Sequence, residues 1–198
     1  MKLLAFSDLH EDYTILKKLI KRAKSKEIDI IVCAGDFTSM GSGMKKIMNQ
    51  LDTIGKPVLI IHGNHESPEQ VEELAKKSSH ITFLHKTHYK FKNIIFLGYG
   101  GDGFSLKDQE FRKIARKWRT QFKDKKVVLT THGPANGTKI DVIDGRHVGN
   151  KDYRDFIHRT KPLLAISGHL HETMGIKQKI DDTMFINPCW EGMVIEIG

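Results

Sequence analysis

Apolar and polar positions alternate along this chain in blocks of two different periods. Short apolar, largely β-branched runs at 3–6, 28–34 and 58–61 are separated by segments with apolar residues three and four apart, across 13–23 and near 44–51. Runs of the first kind read as buried strands and those of the second as helices with one apolar face. Their alternation predicts parallel strands joined by crossover helices. Ser67 and Pro68 predict a third helix to about Lys77: serine caps free amides, proline fits the first turn, and Glu69 and Glu72 suit its positive end.

Beyond this helix the pattern changes. Runs at 81–84, 89–91 and 94–98 are short and closely spaced, which predicts antiparallel pairing. An amphipathic segment at 107–126, strands at 127–131 and 163–167 around a helix near 152–159, and three short strands at 175–179, 183–186 and 194–197 complete the chain. Two such blocks in one domain, residues 1–198, predict an α/β fold in which two mixed sheets pack face to face with helices outside, a four-layer αββα sandwich. Of the longest irregular pieces, 100–105 and 133–151, the second is expected to help shape the substrate pocket.

Charge alters this picture at one place. The chain carries 32 Lys+Arg against 24 Asp+Glu, a net +8, and the segment 107–126 alone contributes +6. Phe111, Ile114, Ala115, Trp118 and Phe122 recur there at helical spacing, so a solvated surface helix is the preferred reading and attraction of a polyanion the sharper one. Two cysteines, Cys33 and Cys189, are too few for a disulfide framework, and Cys33 lies in an apolar run. No apolar stretch is long enough to cross a bilayer, so a cytoplasmic protein without a membrane partner is expected.

Five stretches, each placed just after a predicted strand, hold metal-binding side chains: Asp8-Leu9-His10, Gly35-Asp36, Gly63-Asn64-His65-Glu66, His132-Gly133 and Gly168-His169-Leu170-His171. Singly these are common; in this order and placement they are not. Carboxylates, imidazoles and an amide oxygen together suit borderline divalent ions, Mn²⁺ first, with Fe, Zn, Co or Ni as alternatives, rather than Ca²⁺. Two such ions roughly 3.5–4 Å apart can make a bridging hydroxide from water and clamp a phosphoryl group, so hydrolysis of a phosphate ester is the expected chemistry.

The series resembles the calcineurin-like metallophosphoesterase family, whose pattern is D-x-H, G-D, G-N-H-[DE], G-H and G-H-x-H in that order. The resemblance implies that Asp8, His10 and His171 hold one metal ion, that Asn64, His132 and His169 hold the second, and that Asp36 bridges both. It also implies that His65 is the general acid. His62, His80, His85, His88 and His158 have no position in the pattern and are expected to be structural or solvated.

One departure narrows the substrate. Protein phosphatases of the superfamily extend the second block to G-D-x-x-D-R-G, whereas this chain has Ser39 and Met40 in place of the later Asp and Arg. Without a bidentate grip on a dianion, phosphodiesters or small phosphorylated compounds are favoured over phosphoproteins. Thr131 to Pro134, Asp141 to Asp144, His147-Val148-Gly149 and Ile186-Asn187-Pro188 resemble the MPPED-like branch, whose members act on phosphodiesters including cyclic nucleotides. That resemblance places Arg146 or His147 near the substrate, with anchoring of the loop as the alternative role. The expected activity is a binuclear phosphodiesterase acting on a small or nucleotide ester. A phosphomonoesterase or nuclease is the rival, nucleic acid being the less favoured partner. A non-catalytic scaffold of the same fold, such as the retromer subunit, is disfavoured because His65 is present.

Overall fold

A computed structural model describes residues 1–101 and 103–197. Asp102, in the expected 100–105 loop, and Gly198, at the end of the expected domain, lie outside the described residues. The elements run β1 (Lys2–Phe6), α1 (Tyr13–Ala23), β2 (Ile30–Cys33), α2 (Met44–Asp52), β3 (Val58–Ile60), α3 (Pro68–Lys76) and β4 (Ile81–Phe83). They continue with β5 (Thr87–Phe91), β6 (Ile94–Tyr99), α4 (Gln109–Gln121), β7 (Lys126–Thr131), β8 (Val142–Ile143), β9 (Arg146–His147) and α5 (Lys151–Thr160). Last come β10 (Leu164–Ile166), β11 (Lys177–Ile180), β12 (Thr183–Ile186) and β13 (Met193–Glu196).

Among the described residues two large sheets form, in the orders β13-β1-β2-β3-β4 and β11-β12-β10-β7-β6-β5, beside the two-stranded β8-β9. Both are mixed: β1 to β4 are parallel with β13 antiparallel at the edge, and β6, β7, β10 and β12 are parallel between antiparallel β5 and β11. The expected antiparallel pairing holds for β5 with β6. It fails for the strand at 81–83, which pairs parallel to β3 and closes the first sheet. The chain then changes sheets between β4 and β5, a choice that depends on long-range packing rather than on the run itself.

Side-chain alternation along the strands builds three apolar cores. Leu4, Phe6, Ile31, Cys33, Val58 and Ile60 point outward from the first sheet onto α1, α2 and α3. The intervening residues Leu3, Ala5, Ile30, Val32, Leu59 and Ile61 face Phe96, Val128, Leu164, Ile166 and Ile186 of the second sheet. That sheet's other face packs Leu97, Val127, Leu129 and Phe185 against Phe111 and Trp118 of α4 and Tyr153 and Phe156 of α5. Three cores between four layers give the expected sandwich.

Local signals act where the sequence places them. Ser67 caps α3 by accepting from the Gln70 amide, while Asp12, Asp108 and Asn150 cap α1, α4 and α5 in the same manner. The basic segment forms α4, whose apolar face is in the third core. The expected irregular stretch 133–151 contains the β8–β9 hairpin, whose two-residue strands carry no period to read. No described helix is long and apolar enough to cross a membrane.

Candidate metal centre

The C-terminal ends of β1, β2 and β3 meet those of β7 and β10 along one edge of the sandwich. All seven predicted ligands come together there. Three sets of ligand atoms each lie within 4.8 Å of one another: Asp8, His10 and His171; His10, Asp36 and His65; and Asp36, His132 and His169. Asn64 joins the last set, with its Oδ1 3.1 Å from His132 Nε2. Asp36 thus belongs to two sets, with its Oδ2 3.4 Å from His132 Nε2 and 3.9 Å from His65 Nε2.

The backbone at this edge is held in costly conformations. Asp8, His10, Asp36 and His169 all have positive φ, from 45° to 69°. For residues with a Cβ this region is disfavoured, and such strain concentrates at functional sites. Two glycines allow the close approach: a Cβ on Gly63 would run into Asp36 Oδ1, and one on Gly168 into Asp8 Oδ2.

The donor arrangement fits cations. His132 Nδ1 lies 2.8 Å from the Ala34 carbonyl, so Nδ1 carries a proton and Nε2 is directed at the oxygens of Asn64 and Asp36. Those contacts need positive charge between them, either the second proton of an imidazolium or a cation. Burial opposes an imidazolium at His132, but the hydrogen bond and charge of Asp36, with the charge of Asp8, raise its pKa above the ordinary value. His169 Nε2 is buried without a hydrogen-bond partner among the described residues. Burial and the neighbouring His132 lower its pKa to about 4, which keeps the ring neutral and its lone pair free. His10 and His171 bring their Nε2 atoms to 3.2 Å, another pair of nitrogens suited to a shared cation. Burial pushes Asp36 up, yet His132 and the His65 amide outweigh it and hold the carboxyl at about 2.

Glu66 was visible in its motif, but its task was not. The buried carboxylate accepts from the amides of Asp36 (3.0 Å), Gly63 (2.9 Å) and Thr38 (2.9 Å) and from the Thr38 hydroxyl (2.7 Å). It ties the loop after β2 to the loop after β3. Thr38 Oγ1 also accepts from the Gly41 amide at 3.1 Å, and Ser39 Oγ donates to the His10 carbonyl. The turn so fixed points the Met40 amide at His65 Nδ1, 3.1 Å away. A backbone N–H can only donate, so Nδ1 accepts and the neutral ring carries its proton on Nε2. A main-chain group therefore orients His65 where the longer motif would use an aspartate.

A cavity of about 270 Å³ opens on this cluster, and Phe104, Ile143, Leu170 and Glu172 complete its walls. The larger cavity, about 840 Å³ between α2 and α3, contains no histidine and no converging ligand set. Arg146 and His147 stand on β9 opposite Ile143 and Val142, outside the smaller cavity's lining. His147 Nδ1 is 2.7 Å from the buried Asp141, which also accepts from the Gly137, Thr138 and Gly149 amides. Arg146 is exposed and has no ion pair among the described residues.

Residues 1–173 match the family described as calcineurin-like phosphoesterase. The chain belongs to that family. Its members are dimetal-dependent phosphoester hydrolases, and the ligand sets above supply candidate sites for both ions. Among curated proteins, a UPF0046 protein of Caenorhabditis elegans is 24% identical over 99% of this chain and 72% of its own length. A probable cyclic nucleotide phosphodiesterase of Synechococcus is 25% identical over 75% of this chain and 60% of its own length. Among solved structures, a Thermus thermophilus protein superposes with a TM-score of 0.78 at 15% identity, over 96% of this chain and 90% of that one. A dimetal phosphatase from Danio rerio gives 0.61 at 14% identity, over 94% of this chain and 86% of that one. The fold is thus that of the metallophosphoesterases.

Proposed function

We propose that this calcineurin-like phosphoesterase is a two-metal phosphodiesterase acting on a small or nucleotide ester. The reading is carried by one observation: seven side chains from five separate strand ends converge into neighbouring ligand sets, two of which share Asp36. Asp8, His10 and His171 would hold one ion, and Asn64, His132 and His169 the other, with Asp36 between them. Manganese is the metal we favour for this mixture of oxygen and imidazole donors. When bound, such ions supply Lewis acidity toward phosphoryl oxygens and a nucleophile from water at neutral pH.

The chain's own groups do the rest. His65 presents Nε2–H as a hydrogen-bond donor to the charge developing on the leaving oxygen, with its ring held by the Met40 amide. Ser39 and Met40 offer no guanidinium for a terminal phosphate, which supports a diester with one negative charge. The likeness to the Synechococcus protein supports the same class. Arg146 is assigned to the outer part of the substrate because it pairs with the cavity residue Ile143. His147 is assigned to anchoring the hairpin through Asp141.

Metal analysis combined with hydrolysis of an aryl phosphodiester and the matching monoester in Mn²⁺ tests the proposal. Two metals per chain and preference for the diester are expected. Fewer than one metal per chain after reconstitution, or turnover of neither ester, would overturn it.

A further inference from the structure

The metal cluster is bordered by apolar side chains that the reaction itself does not need. Met40, Phe104 and Trp190 are among the few large apolar residues left exposed, at 80%, 62% and 40%. All three adjoin the cluster. Met40 holds His65 through its amide, the Phe104 ring centroid is 4.1 Å from that of His169, and Trp190 stands 6.2 Å from His171. Exposed apolar groups scattered singly mean little, but here Phe104 lines the polar cavity and the other two stand beside His65 and His171, which also line it, a gathering that marks a surface a ligand covers.

We propose that Phe104, Ile143 and Trp190 form an apolar subsite for a planar aromatic group of the phosphoester, a nucleobase or aryl ring, beside the metal cluster. The inference rests on reading that cluster as the phosphoester site and names the organic part of its substrate. Phe104 and Ile143 line the cavity next to Asn64 and His169, so a group esterified to a phosphate at the cluster meets them directly. Their side chains offer no hydrogen-bonding group to a glycerol or sugar hydroxyl. Aromatic side chains stack with any flat ring, a contact that tolerates changes in its substituents. The cavity, at about 270 Å³, suits one small ester. Glu172 on its wall opposes a second phosphate, which disfavours a polyphosphate or polynucleotide.

Trp190 provides a readout separate from turnover, because the other tryptophan, Trp118, is buried. The metal-loaded protein should be titrated with adenosine 5′-monophosphate, ribose 5-phosphate and inorganic phosphate while its fluorescence is followed, with Trp190→Phe as the control. The nucleotide should bind at least about tenfold more tightly than ribose 5-phosphate, the scale of one base–aromatic stack. Phe104→Ala should bring the ratio of the two constants toward one, and Phe104→Tyr should restore it. Equal binding of the two phosphates, or a ratio unmoved by Phe104→Ala, would overturn the subsite. Turnover of phenyl and methyl phosphodiesters then separates the two readings. Equal specificity constants for the esters sink the subsite and leave the phosphodiesterase. Selective nucleotide binding without turnover of either ester supports the subsite and sinks the phosphodiesterase.

Discussion

The two sheets contribute different chemistry to the shared edge. Loops after β1, β2 and β3 bring the oxygen donors Asp8, Asp36 and Asn64, together with His10 and His65. Loops after β7 and β10 bring imidazoles alone: His132, His169 and His171. Neither set is a complete two-metal site, so ligand geometry is set by how the sheets pack. The core between them, built from residues such as Val32, Leu59, Val128 and Leu164, is therefore as much a part of the candidate metal centre as the candidate ligands.

Asp36→Asn should break the comparison most severely, since this residue touches groups from both sheets. Metal content is expected to fall to one ion per chain or fewer and phosphodiester turnover by about 10³-fold, measured by elemental analysis and steady-state kinetics. A sharper test uses two core leucines of equal chemistry. Leu164→Ala, between the sheets, and Leu51→Ala, on the buried face of α2, should each cost about 2–5 kcal/mol in denaturant unfolding. Only the first should also weaken metal binding, by about tenfold; equal effects on the metal would show that sheet packing does not set the site.

Within the first sheet's loops the effect is smaller. Thr38→Val removes a hydroxyl that donates to Glu66 and accepts from Gly41, and so loosens the turn that carries the Met40 amide. We expect kcat to drop about tenfold with KM and metal content unchanged, and Thr38→Ser to restore it. The smallest effect belongs to the segment where the chain crosses between sheets. Burial, then the charges of His62 and Lys86, lower His85 to about 3. The unfolded chain binds this proton near the ordinary value of 6.5, so the neutral ring's contribution is complete above that pH and is lost as pH falls toward 3. Unfolding curves of wild type and His85→Asn should diverge above pH 6.5 and converge below it.

The convergence of these side chains was readable from the residues because candidate ligands at strand ends belong to chemically restricted types. Asp8, Asp36, His132 and His169 could be placed by following an apolar run to its polar end. The parallel pairing of β4 could not, since Ile81, Thr82 and Phe83 would suit either sheet. The tasks of Glu66 and Met40 were hidden for another reason: their contacts run through backbone amides, which every residue but proline carries. The β8–β9 hairpin is too short for periodicity to announce it. Phe104, in the irregular stretch 100–105, and Trp190 carry no local signal that they stand exposed beside the cluster.

The orientation of His65 by the Met40 amide has a consequence for how this site can change over generations. A contact made by the main chain is not erased by altering the side chain that happens to occupy the position. With φ at 52°, position 40 can accept glycine or asparagine readily and other residues at some cost. Proline alone removes the N–H and forbids the turn. The side chain facing solvent there is consequently free to drift toward whatever substrate passes over it, while the imidazole beneath keeps its aim.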